Sequence, residues 1–324
     1  MLRPFFDTLE RRFNESAEEY RFCAEIGGKK LALCFRDREQ AAVVEQSLAG
    51  RRIPEARPPD ARLRFWLDDC SRCVGPEAPP GRWRYRDEDG CAIFLPDLWV
   101  IGADISRRTF SCCLHNRGDR AQVPYWVASK LVSQWAGTAG LLSVHGGAVG
   151  VGGRGVLLAA RGGGGKSTLA AACLLSGMDY VADDYVLVSA EGPPRAMPMF
   201  STLKMNPDMK ERLGLDLPVI WEDAARGGKQ LLDASSFPIC RDMAVCAVVF
   251  LSRWDREGAE ISPVSGNPAV RLAQSALQVE GAYDPAAAKA VVQRLSGLPA
   301  YEMRFGGNLR QNADTLRTWI ERMK

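Results

Sequence analysis

At 324 residues the chain exceeds the usual size of one domain, and 46% hydrophobic with 25% charged residues is ordinary globular usage, in keeping with a soluble enzyme of two parts. The 42 basic and 39 acidic side chains leave a formal charge of +3, and residues 1–123 hold 21 basic against 20 acidic ones, so neither part carries the basic excess of a nucleic-acid binder. Met1 to Asp7 has no long apolar export core, and the longest apolar run, Met243 to Leu251, is far short of a membrane span, so no membrane partner and a cytoplasmic location are expected.

Residues 20–48 predict two short strands around Gly27-Gly28 and then a helix from Glu39 to Leu48. An Arg/Pro-rich connector, Gly50 to Pro59, follows, and a second loop runs from Gly75 to Gly81. Leu63–Leu67, Cys91–Leu95, Leu98–Ile101 and Phe110–Leu114 are rich in aromatic and branched residues and predict strands. Residues 1–123 therefore form a mixed α/β, β-rich domain without a catalytic motif, and a substrate-recognition role is expected for it.

The ten cysteines of a cytoplasmic chain are expected to be reduced. Cys70-Ser71-Arg72-Cys73 and Cys112-Cys113 raise a zinc or redox site. With no second C-x-x-C and no histidine at ligand spacing, buried and loop thiols are the preferred reading. His115 is expected in a turn or on the surface.

Pro124 to Gly137, with proline in a first helical turn and Trp126, Leu131, Val132 and Trp135, predicts a helix joining the two parts; residues 124–324 are expected to form the second domain. His145 to Val151 and Arg154 to Ala160 flank Gly152-Gly153, which predicts a hairpin. That hairpin feeds Arg161-Gly162-Gly163-Gly164-Gly165-Lys166-Ser167-Thr168. Four successive glycines let backbone N–H groups turn inward on phosphate oxygens, so Gly162 to Gly165 with Lys166, Ser167 and Thr168 predict a P-loop. Lys166 is placed to hold the β- and γ-phosphates and Ser167 to ligate Mg²⁺, with ATP the expected nucleotide. A helix from Lys166 to Ser176 presents its N-terminal dipole to phosphate and ends at Gly177. The first glycine of G-x-x-x-x-G-K-[ST] is replaced by Ala160, and a glycine-rich surface turn before an ordinary helix is the competing interpretation.

Tyr180 to Val188 is an apolar run interrupted by Asp183 and Asp184, a costly pattern unless the carboxylates face a cation or a reacting group. Read as one strand, it points the two acids to opposite faces. Helices are predicted over Pro268–Val279, Pro285–Leu295 and Asn312–Lys324, the last capped by Asn312.

Ser143-Val144-His145-Gly146, the loop Gly162 to Ser167 and Val181-Ala182-Asp183-Asp184 together resemble the HPr kinase/phosphorylase superfamily, including its kinases of serine in ribosomal peptide precursors such as lasso peptides. His145 precedes Lys166 by 21 positions and Asp183 follows it by 17, matching the family pattern. The layout of Ser201–Lys204 and Val248–Leu251 extends a weaker likeness over most of 125–324. The resemblance implies an α/β P-loop kinase domain in which Asp183 takes the proton of an acceptor serine, His145 stands beside it, Lys166 stabilises the transferring phosphoryl group and Ser167 holds Mg²⁺. Asp184 is assigned by position as a second metal contact. The family's L-E-I-R-G-L-G segment and its glycine- and arginine-rich phosphorylase loop have no equivalent, which leaves the reverse reaction in doubt. Lys204, Lys229 and Arg253 are candidate phosphate or substrate contacts. The expected acceptor is a peptide or small protein; a small-molecule hydroxyl or a non-catalytic nucleotide switch are the alternatives, and oligomers in the family leave a homo-oligomer open.

Overall fold

The computed structural model describes residues 2–15, 19–55, 57–75, 78–115, 124–189, 191–223, 228–265, 267 and 285–323. It is a strand-rich mixed α/β structure of two units, Met1–Thr138 and Ala139–Lys324.

In the first unit, apolar residues at Phe6, Leu9 and Phe13 give α1 (Arg3–Asn14) one buried stripe. The sequence reading missed this helix. The sheet comprises β1 (Tyr20–Ile26), β2 (Lys29–Phe35), β3 (Ala61–Asp68), β4 (Trp83–Asp87), β5 (Gly90–Leu95), β6 (Trp99–Asp104) and β7 (Thr109–His115), in the order β1-β2-β3-β7-β6-β5-β4. β3 runs parallel to both β2 and β7, and the remaining pairs are antiparallel. α1 packs on the face carrying Trp66, Phe94, Val100 and Cys113. Two further helices complete the unit, α2 (Arg38–Ser47), capped by Asp37, and α3 (Pro124–Thr138). α3 packs on α2 and β7, so this helix goes with the first unit and the division falls after it rather than at 123/124.

The second unit is built on a nine-stranded sheet. Its path is β11 (Asp179–Ala182), β9 (Gly147–Val151), β10 (Arg154–Ala159), β17 (Met243–Arg253), β13 (Arg195–Pro198), β12 (Tyr185–Ser189), β8 (Leu141–His145). β19 (Ala300–Phe305) joins the far half of β17 and pairs with β18 (Ala259–Pro263). β14 (Thr202–Met205), β16 (Lys229–Asp233) and β15 (Val219–Asp223) form a separate antiparallel sheet in that order, which shares no strand ladder with the large one among the described residues. α4 (Lys166–Leu175) and a C-terminal helix cover one face of the large sheet, where Leu158, Val249, Leu169 and Leu316 meet. The helix Pro285–Ser296 covers the other through Val291 and Leu295. Burial on both faces explains why β10 and β17 read as continuous apolar runs instead of alternating ones.

Two expectations are corrected here. The run Tyr180–Val188 is not one strand: the chain leaves its pairing with β9 after Ala182 and pairs with β8 and β13 from Tyr185 onward, so Asp183-Asp184 lies at the bend between strands. The last helix is Leu309–Arg322, and its cap is Asn308, whose side chain accepts from the Gln311 N–H at 3.1 Å. Asn312 is instead fully buried and donates to the Gly306 carbonyl. The helix predicted at Pro268–Val279 lies outside the described residues. A short helix, Pro207–Arg212 (α5), follows β14.

Candidate active site

β10, flanked by β9 and β17, leads into the glycine loop, and α4 begins at Lys166 immediately after that loop. Gly165 caps α4 with φ +90° and no side-chain hydrogen bond, so the helix's first N–H groups receive nothing from a cap. A Cβ on Gly164 would lie 2.6 Å from the Ala160 Cβ, and one on Gly165 would lie 2.6 Å from the Phe305 ring. The loop can therefore take this course only with glycine at both places. Ala160, the departure from the motif, is buried against the loop and gives its carbonyl to the Lys166 ammonium at 2.7 Å.

The loop, Lys166, Ser167, Thr168, His145 and both acids line one cleft of about 290 Å³, and Lys204, Lys229 and Arg253 line it too. All the residues singled out in the sequence for phosphate or catalysis thus come together, from the glycine loop, the end of β8, the β11–β12 bend, β14, β16 and the end of β17. Asn206 and Asp208, at the start of α5, line the same cleft and went unnoticed in the sequence.

Asp183 is 2% exposed. The Tyr180 hydroxyl lies 3.0 Å from its Oδ1 and the Lys204 backbone N–H donates to its Oδ2 at 3.1 Å. Burial, reinforced by the charge of Asp184, pushes the Asp183 carboxyl up to about 6, against hydrogen bonds from Ser167, Lys204 and Tyr180 that pull it down. Asp184 faces two bases: His145 Nε2 is 3.7 Å from Oδ1 and Lys204 Nζ is 3.5 Å from Oδ2. Its Oδ2 is buried without a hydrogen-bond partner. Burial holds the His145 imidazole below its ordinary value; Asp184 opposes this, while Lys166, Lys204 and Lys229 add to it. Burial likewise lowers Lys166, with Asp184 opposing.

A buried carboxylate oxygen that has the Lys204 ammonium at 3.5 Å but accepts no hydrogen bond, beside a hydroxyl that reaches Asp183, fits a hard divalent cation, for which oxygen donors are the natural ligands. Among the described residues no group of three or more His, Cys, Asp or Glu side chains could hold a metal alone. Mg²⁺ suits such a partial set, since it commonly takes one or two carboxylates and completes its shell with phosphate and water oxygens.

Elsewhere, all ten cysteines are free thiols. Cys70 and Cys73, on a single 3-10 turn, are fully buried, and Cys70 Sγ stands 3.9 Å from Cys113 Sγ. No helix among the described residues is long and apolar enough to cross a membrane.

No family model matches the chain, and no curated protein matches it. Among solved structures, a similar chain is the HPr(Ser) kinase/phosphatase from Coxiella burnetii, with a TM-score of 0.29 and 12% identity over 54% of this chain and 92% of that one. A likeness of that size fixes neither family nor activity.

Proposed function

We propose that the second unit is an ATP-dependent kinase of the HPr-kinase-like kind that phosphorylates a hydroxyl, with a serine of a peptide or small protein as acceptor. The observation that carries this reading is the placement of a buried carboxyl, Asp183, in the same cleft as a glycine loop with its lysine and a helix N-terminus. Nucleotide binding by itself needs the loop and helix; a carboxyl with a raised pKa adds a group suited to take a proton near neutral pH.

In the forward step Asp183 accepts the proton of the attacking hydroxyl. That oxygen bonds to the γ-phosphorus as the bond to the bridging oxygen of the leaving diphosphate breaks. Lys166 and the backbone N–H groups of the loop offset charge on the transferring group, which is where electrostatic positioning contributes most. Burial and the nearby lysines disfavour the charged form of His145, so the imidazole brings little positive charge against Asp184. Ser167 and Asp184 would hold Mg²⁺, which supplies charge neutralisation on the phosphates when bound. Lys204, Lys229 and Arg253 give the cleft an excess of positive charge suited to a triphosphate. The absence of a phosphorylase segment from the sequence favours peptide tailoring over reversible regulation.

Transfer from γ-labelled ATP with Mg²⁺ to a pool of serine-bearing peptides tests this. Label on serine, lost in Asp183→Ala and Lys166→Ala while Asp183→Ala still binds ATP, is expected. Full transfer by Asp183→Ala would remove the assigned base. ATP binding without any transfer would point to a nucleotide switch, and label on a small hydroxyl compound alone would replace the peptide acceptor.

A further inference from the structure

The second unit holds another cavity, of about 690 Å³, which is larger than the phosphate-loop cleft and shares no lining residue with it. It lies at the far end of α4: the cleft meets Lys166 and the cavity meets Leu175 and Ser176. Along the helix axis those ends stand about 14 Å apart. Three guanidiniums line the cavity, Arg212 from the end of α5 and Arg310 and Arg317 from the C-terminal helix, against a single carboxylate, Asp314. Among the described residues none of these four side chains forms an ion pair. Arg317 donates to the Ser176 carbonyl and Arg212 makes a long contact of 3.5 Å with the Gly307 carbonyl, which leaves both with donors to spare. Arg310 makes no hydrogen bond among the described residues.

The backbone adds to this charge. The C-terminal helix starts in the cavity wall at Asn308, whose side chain takes the Gln311 N–H and leaves those of Leu309 and Arg310 without a helical acceptor. The C-terminal end of α4 does little to cancel it, because the Ala172, Cys173, Leu174 and Ser176 carbonyls are already bonded to N–H groups. A bare oxyanion would fill only a small part of such a volume. Leu175, 43% exposed, and the half-buried Leu213 and Leu309 also line it, so an apolar ligand body has a surface to cover.

We infer that this cavity binds a small organic anion, with a carboxylate or phosphate head on Arg212, Arg310 and Arg317 and an apolar body on the three leucines. Guanidinium forks match either head. Three guanidiniums less one carboxylate leave two positive charges, which suits a head of one or two negative charges. No residue of the phosphate cleft takes part, so the inference is independent of the kinase reading.

Calorimetric titration of the full chain without nucleotide tests it, with 4-phenylbutyrate, phenyl phosphate, acetate and the neutral 4-phenylbutanol as probes. One of the two phenyl anions, whose identity names the head, should bind at least about 10-fold tighter than acetate or the alcohol. Arg212→Gln with Arg310→Gln, both exposed and outside the phosphate cleft, should weaken that anion at least about 10-fold. Leu175→Glu should do the same by setting a carboxylate against the ligand, and Lys166→Met should leave binding unchanged. Amide hydrogen exchange should show protection at the end of α4 and the start of the C-terminal helix. The inference is overturned by no binding of either phenyl anion, by acetate or the alcohol binding equally well, by binding that Lys166→Met removes and the arginine variant keeps, or by protection confined to Gly162–Thr168. Anion binding by a chain that transfers no phosphate would remove the kinase reading alone, and transfer without anion binding would remove this site alone.

Discussion

The Tyr180 hydroxyl stands 3.0 Å from Asp183 Oδ1 and 2.9 Å from the Thr202 carbonyl oxygen, so one phenolic proton serves two acceptors. With Asp183 ionised, the proton goes to the carboxylate. With Asp183 protonated, the carboxyl can donate to the phenol oxygen while the phenol donates to Thr202, and every group is satisfied. Tyr180→Phe removes the donor and leaves two buried acceptors short, a loss of roughly 1–3 kcal/mol by denaturant unfolding. It also removes a bond that lowers the Asp183 pKa. The acidic limb of the transfer rate should therefore move to higher pH, with a larger loss near pH 6 than near pH 8; a rate profile of unchanged shape would contradict this.

Asp183 also sets a pH dependence of stability. Its carboxyl is raised from 3.8 to about 6 in the folded protein, so between those values the folded chain keeps a proton that the unfolded chain has lost. This contribution is fully present below about pH 4 and is lost as pH rises through about 6, after which the group adds no further slope. A rise of that size corresponds to roughly 3 kcal/mol. Asp183→Asn, which carries no charge at any pH, should unfold at higher urea than the wild type at pH 7.5 while losing transfer. The gap should close as pH approaches 4, and a gap independent of pH would show that burial of the charge is not the cause.

Much of the second unit is legible because two periodicities change at marked places: an apolar run, four glycines, then a helix ended by Gly177. The bend at Asp183-Asp184 is hidden because the residues on either side are equally apolar, and only the change of partner from β9 to β8 and β13 breaks the run. Tyr180 is hidden for a different reason. Its hydroxyl partner on the main chain, Thr202, lies 22 residues away and enters the site only through a separate sheet. In the last helix two asparagines four positions apart compete for the cap, and the packing decides: Asn312 is buried and tied to Gly306, leaving Asn308 at the open end. α1, by contrast, had a readable stripe in Phe6, Leu9 and Phe13.

The chain has only two histidines, so imidazole NMR signals can follow His145 directly. Burial holds His145 below its ordinary value, and the wild-type signal should titrate below 6.5. Lys204 and Lys229 each press it further down, whereas Asp184 supports the charged form. Lys204→Met and Lys229→Met should raise the midpoint and Asp184→Asn should lower it. Shifts in the opposite directions would mean that these charges do not face the imidazole.

The glycine loop gives a prediction that needs no substrate. Gly165 has φ +90°, and a Cβ there meets the Phe305 ring at 2.6 Å. Gly165→Ala must therefore adopt a conformation L-residues rarely take and displace a buried ring, for a cost of roughly 1–3 kcal/mol. Gly162 has nothing within 4 Å of an added Cβ and no left-handed backbone requirement. Gly162→Ala should leave stability within about 0.5 kcal/mol of the wild type, as expected of an open position. If the two variants unfold at the same urea concentration in the absence of nucleotide, the loop is not held against Phe305, and the cradle for phosphate is less preorganised than its backbone implies. If Gly165→Ala alone is destabilised and also loses ATP binding, the close packing that fixes the loop is the same packing that aims its N–H groups.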